Sequence, residues 1–185
     1  TRSDSDKMEF EGAYVPPPIP GRYENVAILD YKGLYPSLIL SHNLSFETQV
    51  HPYEYRGEES QKIHKLPDGS CWDQSAKGMT ASPGWGWADY DIAGAITSCG
   101  REAIKFLLEE STKQGYHPVY GHTDSAFVQV PLTEASALAE HLTNEVQSQL
   151  NAKDLVVELE TYMPYWLVAG KNLYYGICSW PPEDE

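Results

Sequence analysis

The chain has 185 residues, of which 41% are hydrophobic, and this is enough for one globular domain with a buried core. It carries 13 basic and 27 acidic side chains, which give a net charge of −14. This charge disfavours a protein that binds nucleic acid by itself, and it favours divalent cations or a basic partner as ligands. The three cysteines form no CxxC pair, so neither a zinc knuckle nor a disulfide framework is predicted.

The same sequence disfavours membrane and secreted proteins. It contains no run of about 18 apolar residues that would span a bilayer. Its polar start, TRSDSDKMEFEG, lacks the apolar core of a signal peptide. We therefore expect an intracellular protein of the cytoplasm, nucleoid or nucleus, with no membrane partner.

The first half of the chain predicts an arm, a strand, a helix and an irregular insert. Residues 1–23 are polar and then proline-rich, which is typical of an extended N-terminal arm. Residues 25–30 (NVAILD) predict a buried strand that ends in an acid. Residues 34–44 predict a helix. Residues 51–90 are rich in Gly, Pro, Ser and charge without a period, and predict irregular structure.

The second half predicts two helices and four strands. The clearest helical pattern covers 92–113 and ends at Gly115, and a hairpin around GHTD follows it. Thr133 is a candidate N-cap for a helix that extends to about residue 151. Strands are predicted at 155–160 and 173–177. The order predicts one α+β domain over 24–180, with helices on one face of a mainly antiparallel sheet, and an acidic tail over 181–185.

Two carboxylates stand where this arrangement would expose them, Asp30 at a strand end and Asp124 on the hairpin turn. An isolated Asp at either place is usually turn chemistry, because its side chain bonds the local backbone. If the two converged, their repulsion would call for a divalent cation, and Mg²⁺ takes one or two protein carboxylates. Spacing alone leaves both interpretations open.

Five segments, in order over residues 12–177, resemble the motifs of the family B DNA polymerases. GAYVPPPIPGRYENV is similar to the approach to motif A, LDYKGLYPSLILSHNLSFET to motif A, AITSCGREAIKFL to the helix before motif C, VYGHTDSAFV to motif C, and KNLYYG to the later K-K-x-Y-x-G motif. Five matches in the right order make chance a poor explanation. The resemblance implies a polymerase palm, which is a ferredoxin-like antiparallel sheet with helices on one face and metal-binding acids at its centre.

The resemblance also implies roles for particular residues. Asp30 and Asp124 match the catalytic ligands of Mg²⁺ or Mn²⁺, and the carbonyl of Tyr31 matches a group beside the same metal. Gly33 and Leu34 match the backbone that meets the incoming triphosphate.

Three further positions match residues that contact the substrates. Tyr35 matches the steric gate under the sugar of the dNTP. Lys171 and Tyr174 match the residues that touch primer-template DNA. A solvated lysine and a half-buried strand aromatic are the plainer interpretations of these last two, and the motif context favours the functional one.

The sequence departs from the family pattern at several places. His122 replaces the first acid of motif C, and we interpret it as an exposed turn residue rather than a ligand. Asn172 stands where the family often has a second Lys, and Gly33 replaces a Ser. The segment KGMTASPGWGW is a degraded motif B in which Lys77 remains, most simply as an ordinary loop lysine. We expect the fingers, exonuclease and thumb to be missing from this chain.

Three functions follow. The first is a reduced family B palm that takes part in template-directed DNA synthesis by two-metal nucleotidyl transfer, weak or inactive alone, with another subunit supplying fingers, thumb or DNA grip. The second is a catalytically inactive palm that serves as a structural or regulatory subunit of a DNA replication or repair complex. The third, which we favour least, is an unrelated α+β binding module with chance motifs.

Overall fold

The computed structural model describes residues 16–51, 62–75 and 90–181. The elements in chain order are β1 (Gly21–Tyr31), α1 (Leu34–His42), β2 (Ile63–Lys65), β3 (Cys71–Asp73), α2 (Tyr90–Lys113), β4 (His117–Gly121), β5 (Ser125–Gln129), α3 (Leu132–Gln149), β6 (Val157–Gly170) and β7 (Leu173–Ile177). Parts of three predicted segments lie outside the described residues: 1–15 of the arm, 52–61 and 76–89 of the insert (with Lys77), and 182–185 of the tail.

Five strands form one antiparallel sheet in the order β4-β5-β1-β6-β7. The elements β1, α2, β4, β5, α3 and β6 follow each other in the βαββαβ sequence of a ferredoxin-like fold, and β7 extends the sheet at one edge. The predicted α+β fold with an antiparallel sheet is confirmed.

The two faces of the sheet are covered differently. On β1, Ala27, Leu29 and Tyr31 face the helices and belong to the main core, which includes Ile104 and Leu107 of α2. The opposite face carries a second, aromatic-rich cluster. The buried members of this aromatic cluster are Val26, Val119, Tyr120, Phe127, Met163, Trp166 and Val168. Because side chains alternate along a strand, Asp30 lies on the aromatic-cluster face, opposite to Tyr31.

Strands β1 and β6 are longer than predicted, because they pair with each other over almost their whole lengths. Gly21 pairs with Val168, so β1 begins inside the predicted arm of residues 1–23. Pro164 masked the continuity of β6 in the sequence, since proline donates no ladder hydrogen bond. It lies opposite Asn25, whose φ of 56° marks an irregularity in β1 where the ladder skips a pair.

The predicted irregular insert over 51–90 contains regular structure within its described part. Strands β2 and β3 form a short antiparallel hairpin, joined by a turn that contains Asp68 and Gly69. Trp72 of this hairpin is fully buried in the main core. The P-D-G sequence at the turn was the signal for it. The hairpin therefore corrects the prediction for residues 62–75.

The start of α3 also differs from the prediction. The helix begins at Leu132, and Pro131 is its N-cap. The carbonyl of Pro131 accepts the first helical hydrogen bonds, from the amides of Glu134 and Ala135. Thr133 is already inside the first turn, so its prediction as the N-cap was wrong.

Among the described residues, no helix has both the length and the apolar character needed to cross a membrane.

Gly176 of the KNLYYG motif is required by packing. A methyl group at this position would collide with Sδ of Met163, and it would lie 3.2 Å from Cδ1 of Trp166. Both neighbours are buried in the aromatic cluster. We expect Gly176→Ala to lower the free energy of unfolding by about 1–3 kcal/mol, measured by urea denaturation.

Gly170→Ala is the matched control, since Gly170 lies in the same pair of strands and a methyl group there would have no described atom within 4 Å. We expect its unfolding free energy to stay within about 0.5 kcal/mol of the wild type. Equal stabilities of the two variants would contradict the packing argument.

Candidate active site

The antiparallel pairing of β1 and β5 brings the two predicted carboxylates together. Asp30, the penultimate residue of β1, is the register partner of Ser125, the first residue of β5. Asp124 directly precedes Ser125, and its carbonyl accepts a hydrogen bond of 3.0 Å from the amide of Tyr31. The C-terminal end of β1 and the β4–β5 turn therefore lie at the same end of the strands. Both carboxylates are found there.

Asp30 is half-buried and surrounded by negative charge. Burial raises the pKa of its carboxyl to about 7, and the charges of Asp124, Glu160 and Glu158 add to this effect. A raised pKa in an acid cluster marks a place where negative charge is not neutralised by the protein itself.

Two of these acids come from β6 and were not predicted from the sequence as part of the site. Glu158 is the register partner of Asp30 on the other side from Ser125. Glu160 is the extra residue at a bulge, since Ile28 pairs with Thr161 and Leu29 with Leu159. The alternation in LVVELE contained the signal that the two glutamates lie near each other, but only the β1–β6 register shows that they flank Asp30.

Lys32 and His122 are basic groups that lie beside these acids. Lys32 Nζ lies 3.0 Å from Oε1 of Glu158, in an exposed ion pair. His122 Nδ1 lies 4.0 Å from Oδ1 of Asp124. The side chains of His122 and Asp124 are 37% and 51% exposed, which agrees with the interpretation of His122 as an exposed turn residue.

Tyr31 fixes the end of β1 in the main core. Its side chain is 1% exposed, and its hydroxyl donates a hydrogen bond of 3.0 Å to the carbonyl of Ala103 in α2. Burial raises the pKa of this hydroxyl well above its ordinary value. The side chain is thus an anchor, and only the backbone of Tyr31 is available at the edge where the carboxylates lie.

Gly33 turns the chain from β1 into α1. It is the N-cap of α1 with φ 59° and ψ 60°, a left-handed conformation that glycine adopts without strain. No side chain among the described residues caps this helix end. Leu34 begins α1 and buries its side chain in the main core.

Tyr35 lies in the first turn of α1, between the core and the carboxylates. Its ring packs on α2, where a methyl group on Gly100 would lie 3.2 Å from Cε1. Desolvation raises the pKa of the Tyr35 hydroxyl, Asp124 raises it further, and Arg101 lowers it. The hydroxyl therefore lies within electrostatic range of both Asp124 and Arg101. Arg101 was not predicted from the sequence as a residue of the site.

Lys171 and Tyr174 lie on the β6–β7 hairpin. Lys171 is exposed in the turn. The Tyr174 ring contacts Phe127 and Trp166 of the aromatic cluster, with centroid distances of 5.4 and 5.8 Å. Desolvation raises the pKa of its hydroxyl, with smaller effects from Tyr120 and Glu160. Glu160 thus influences both Tyr174 and Asp30, so the hairpin and the acidic edge lie on the same face.

The donor set suits a hard cation better than zinc. In the described ranges, no group of three or more His, Cys, Asp or Glu side chains is placed to hold a metal ion. Mg²⁺ requires fewer protein ligands, because it keeps several waters and binds substrate phosphates as well. Two neighbouring carboxylates, with Glu158 and Glu160 close enough to raise the pKa of Asp30 beyond the effect of burial, fit Mg²⁺ or Mn²⁺.

The fold and this site define a class of protein. It has a ferredoxin-like antiparallel sheet with helices on one face. Its carboxylates cluster where β1 ends and β5 begins.

Comparisons with known proteins show what the chain is similar to. The family described as DNA polymerase family B matches residues 1–82. The chain is 25% identical to DNA polymerase 2 of Aeropyrum pernix over 95% of its own length and 27% of that protein. It is 26% identical to the DNA polymerase of Archaeoglobus fulgidus over 92% of its length and 27% of that protein.

A solved structure agrees in fold. The family B DNA polymerase of Pyrobaculum calidifontis matches with a TM-score of 0.69 and 19% identity, over 97% of this chain and 29% of that one. The chain is similar to part of the family B DNA polymerases in sequence, and to one of them in fold. It spans about a quarter of the length of the curated relatives that it matches. The predicted resemblance is confirmed, and the interpretation as an unrelated module with chance motifs was wrong.

Proposed function

We propose that the chain is a reduced palm that takes part in template-directed DNA synthesis, in which dNTPs are added to a primer. One observation carries the proposal: Asp30 at the end of β1 lies beside Asp124 of the adjoining β4–β5 turn, and burial, together with the charges of Asp124, Glu160 and Glu158, raises the pKa of Asp30 to about 7. A structural turn would not need two uncompensated carboxylates, whereas a site for divalent cations does.

In this proposal, Asp30, Asp124 and the carbonyl of Tyr31 hold Mg²⁺ or Mn²⁺. Such cations, when bound, stabilise the negative charge that develops on phosphoryl oxygens and on the attacking and leaving oxygens. The protein contributes rigid placement, since the Tyr31 anchor and the strand register fix both acids.

The backbone of Gly33 and Leu34 meets the triphosphate of the incoming dNTP. The first amide groups of a helix have no partner inside the helix, and the helix dipole favours anions there. The absence of a side-chain cap on α1, among the described residues, supports this role. The left-handed conformation of Gly33 lets the backbone approach the phosphates without a side chain in the way.

Tyr35 acts as the steric gate against a ribonucleotide. Its position between the Gly100 backbone and Asp124 supports this, because a ring packed on α2 resists displacement by a 2′-hydroxyl. Lys171 and Tyr174 contact the primer-template, the first as a point charge for phosphate and the second as an aromatic wall.

Primer-template DNA is held with help from protein outside these 185 residues. The net charge of −14 opposes a polyanion, and the chain covers only about a quarter of its relatives. We therefore include in the proposal another subunit or segment that supplies fingers, thumb or DNA grip.

The second candidate is a catalytically inactive palm that acts as a structural or regulatory subunit. His122 favours it, because a protonated imidazole 4.0 Å from Asp124 can neutralise that carboxylate in place of a cation. In such a protein, Asp30 and Asp124 would not require a bound cation to offset their charges.

Primer extension distinguishes these candidates. The full chain is incubated with a labelled primer-template and dNTPs, with Mg²⁺ or Mn²⁺ and with EDTA as control. The first proposal expects template-directed extension that EDTA abolishes. The absence of both extension and cation binding would contradict the first proposal and support the inactive subunit.

A further inference from the structure

The two edges of the sheet meet across the face that carries the aromatic cluster. Strands β4 and β7 occupy opposite ends of the strand order, yet the Tyr120 hydroxyl of β4 donates a hydrogen bond of 3.2 Å to Oδ1 of Asn172, in the turn before β7. The sheet is therefore curled, so that the β6–β7 hairpin folds over towards β4.

Aromatic packing holds the curl in place beside this hydrogen bond. Tyr120 lies 6.2 Å from the Tyr174 ring and 6.3 Å from the Trp166 ring, measured between centroids. Tyr120 is only 3% exposed, so its hydroxyl would be left with little access to water if Asn172 did not accept its hydrogen bond. The contact is thus partly buried, with the donor on a buried tyrosine and the acceptor on an exposed asparagine.

Asn172 is suited to this contact in two ways. It adopts φ 58°, a left-handed conformation that Asn tolerates better than most other residues. Its side chain also provides an acceptor oxygen, which a lysine at the same position would lack. Asn172 is the residue that replaces the second Lys of the family motif, so the departure creates an acceptor for Tyr120.

The contact joins two turns that the proposed function uses. Tyr120 is two residues before His122 and four before Asp124, and its ring lies 6.3 Å from that of His122. Asn172 directly follows Lys171. A displacement of either turn must therefore disturb the other.

We propose that Asn172 is a positioning residue: by accepting the Tyr120 hydrogen bond, it fixes the turn that carries Lys171 relative to the turn that carries Asp124. This rests on the proposed function, because it is the placement of the Lys171 ammonium on the primer-template backbone that Asn172 controls. The ligand concerned is a nucleic-acid phosphate.

A double-mutant cycle tests this role. Tyr120→Phe removes the donor, Asn172→Gly removes the acceptor while keeping the left-handed turn, and both are combined. Affinity for a labelled primer-template is measured by fluorescence anisotropy over a range of salt concentrations, and unfolding by urea. We expect each single variant to weaken binding about 3- to 10-fold and the double variant to weaken it no further.

Two further variants complete the test. Tyr175→Phe, on the exposed side of β7, should bind as the wild type does. Lys171→Ala should weaken binding. It should also reduce the slope of log binding constant against log salt concentration by about 1, the value for one phosphate contact. If Lys171→Ala has no effect, the proposed contact with DNA fails and the inference with it. If Lys171→Ala weakens binding but Tyr120→Phe and Asn172→Gly change only unfolding, the inference alone is overturned.

Discussion

Replacement of Asp124 by Asn is expected to lower the rate of template-directed primer extension by about 100-fold or more, because several kcal/mol of charge stabilisation depend on the bound cation. Asn keeps the shape of the turn residue and removes only the charge. The hydrogen bond from Tyr31 goes to the backbone carbonyl of Asp124, so it survives the substitution. Initial rates of single-nucleotide addition with Mg²⁺ measure the effect.

Asp68→Asn is the matched control for this substitution. Asp68 is also an exposed turn residue, and its carboxylate accepts a hydrogen bond of 2.9 Å from the Ser70 amide, which Asn can also accept. We expect its extension rate to equal that of the wild type. An Asp124→Asn protein with the wild-type rate would show that this carboxylate takes no part in the reaction.

The second large effect concerns stability, because Asp30 is an acid whose folded-state pKa is raised. The carboxyl titrates at about 7 in the folded protein, against an ordinary value of 3.8. Between these values the folded state binds more protons than the unfolded state, so stability falls as pH rises through this window. Below it the carboxyl is neutral in both states, and above it the full repulsion of the charged group destabilises the fold.

Asp30→Asn should therefore stabilise the metal-free protein above pH 7. We expect its free energy of unfolding at about pH 8 to exceed that of the wild type by on the order of 2–3 kcal/mol, allowing for solvent screening. The difference should disappear below about pH 4. Urea denaturation over this pH range, without divalent cations, measures it.

Added Mg²⁺ gives the complementary result. It should stabilise the wild type above pH 7 and much less below, since Asp30 must lose its proton to act as a ligand. Asp30→Asn should lose this response. Glu109→Gln, which removes one charge from the exposed face of α2, should keep the wild-type pH profile and Mg²⁺ response. A pH profile unchanged by Asp30→Asn would contradict the proposed acid cluster.

Much of the fold was predictable because it depends on local patterns. The helix over 92–113 follows from helical periodicity, and the strand that ends at Asp30 follows from an apolar run. The longer extent of β6 and the β2–β3 hairpin were not predicted. Pairing with β1 sustains β6 through Pro164, and burial of Trp72 orders the hairpin. Both depend on contacts between distant segments, which local patterns do not contain.

The candidate site was also predicted only in part from the sequence. The motifs were enough to select Asp30, Tyr35, Asp124 and Lys171, because each stands within a recognisable run of neighbours. The charged surroundings of Asp30 depend on strand register, and a bulge in β6 is what adds Glu160 to them.

The sequence alone therefore determined which residues are candidates for the site, because each of them belongs to a motif of neighbouring residues. The link from Tyr120 to Asn172, and the convergence of acids from two strands and the β4–β5 turn, exist only in the folded protein. They arise because a twisted sheet brings its two edges together and sets side chains from separate strands side by side, which no spacing in the sequence expresses.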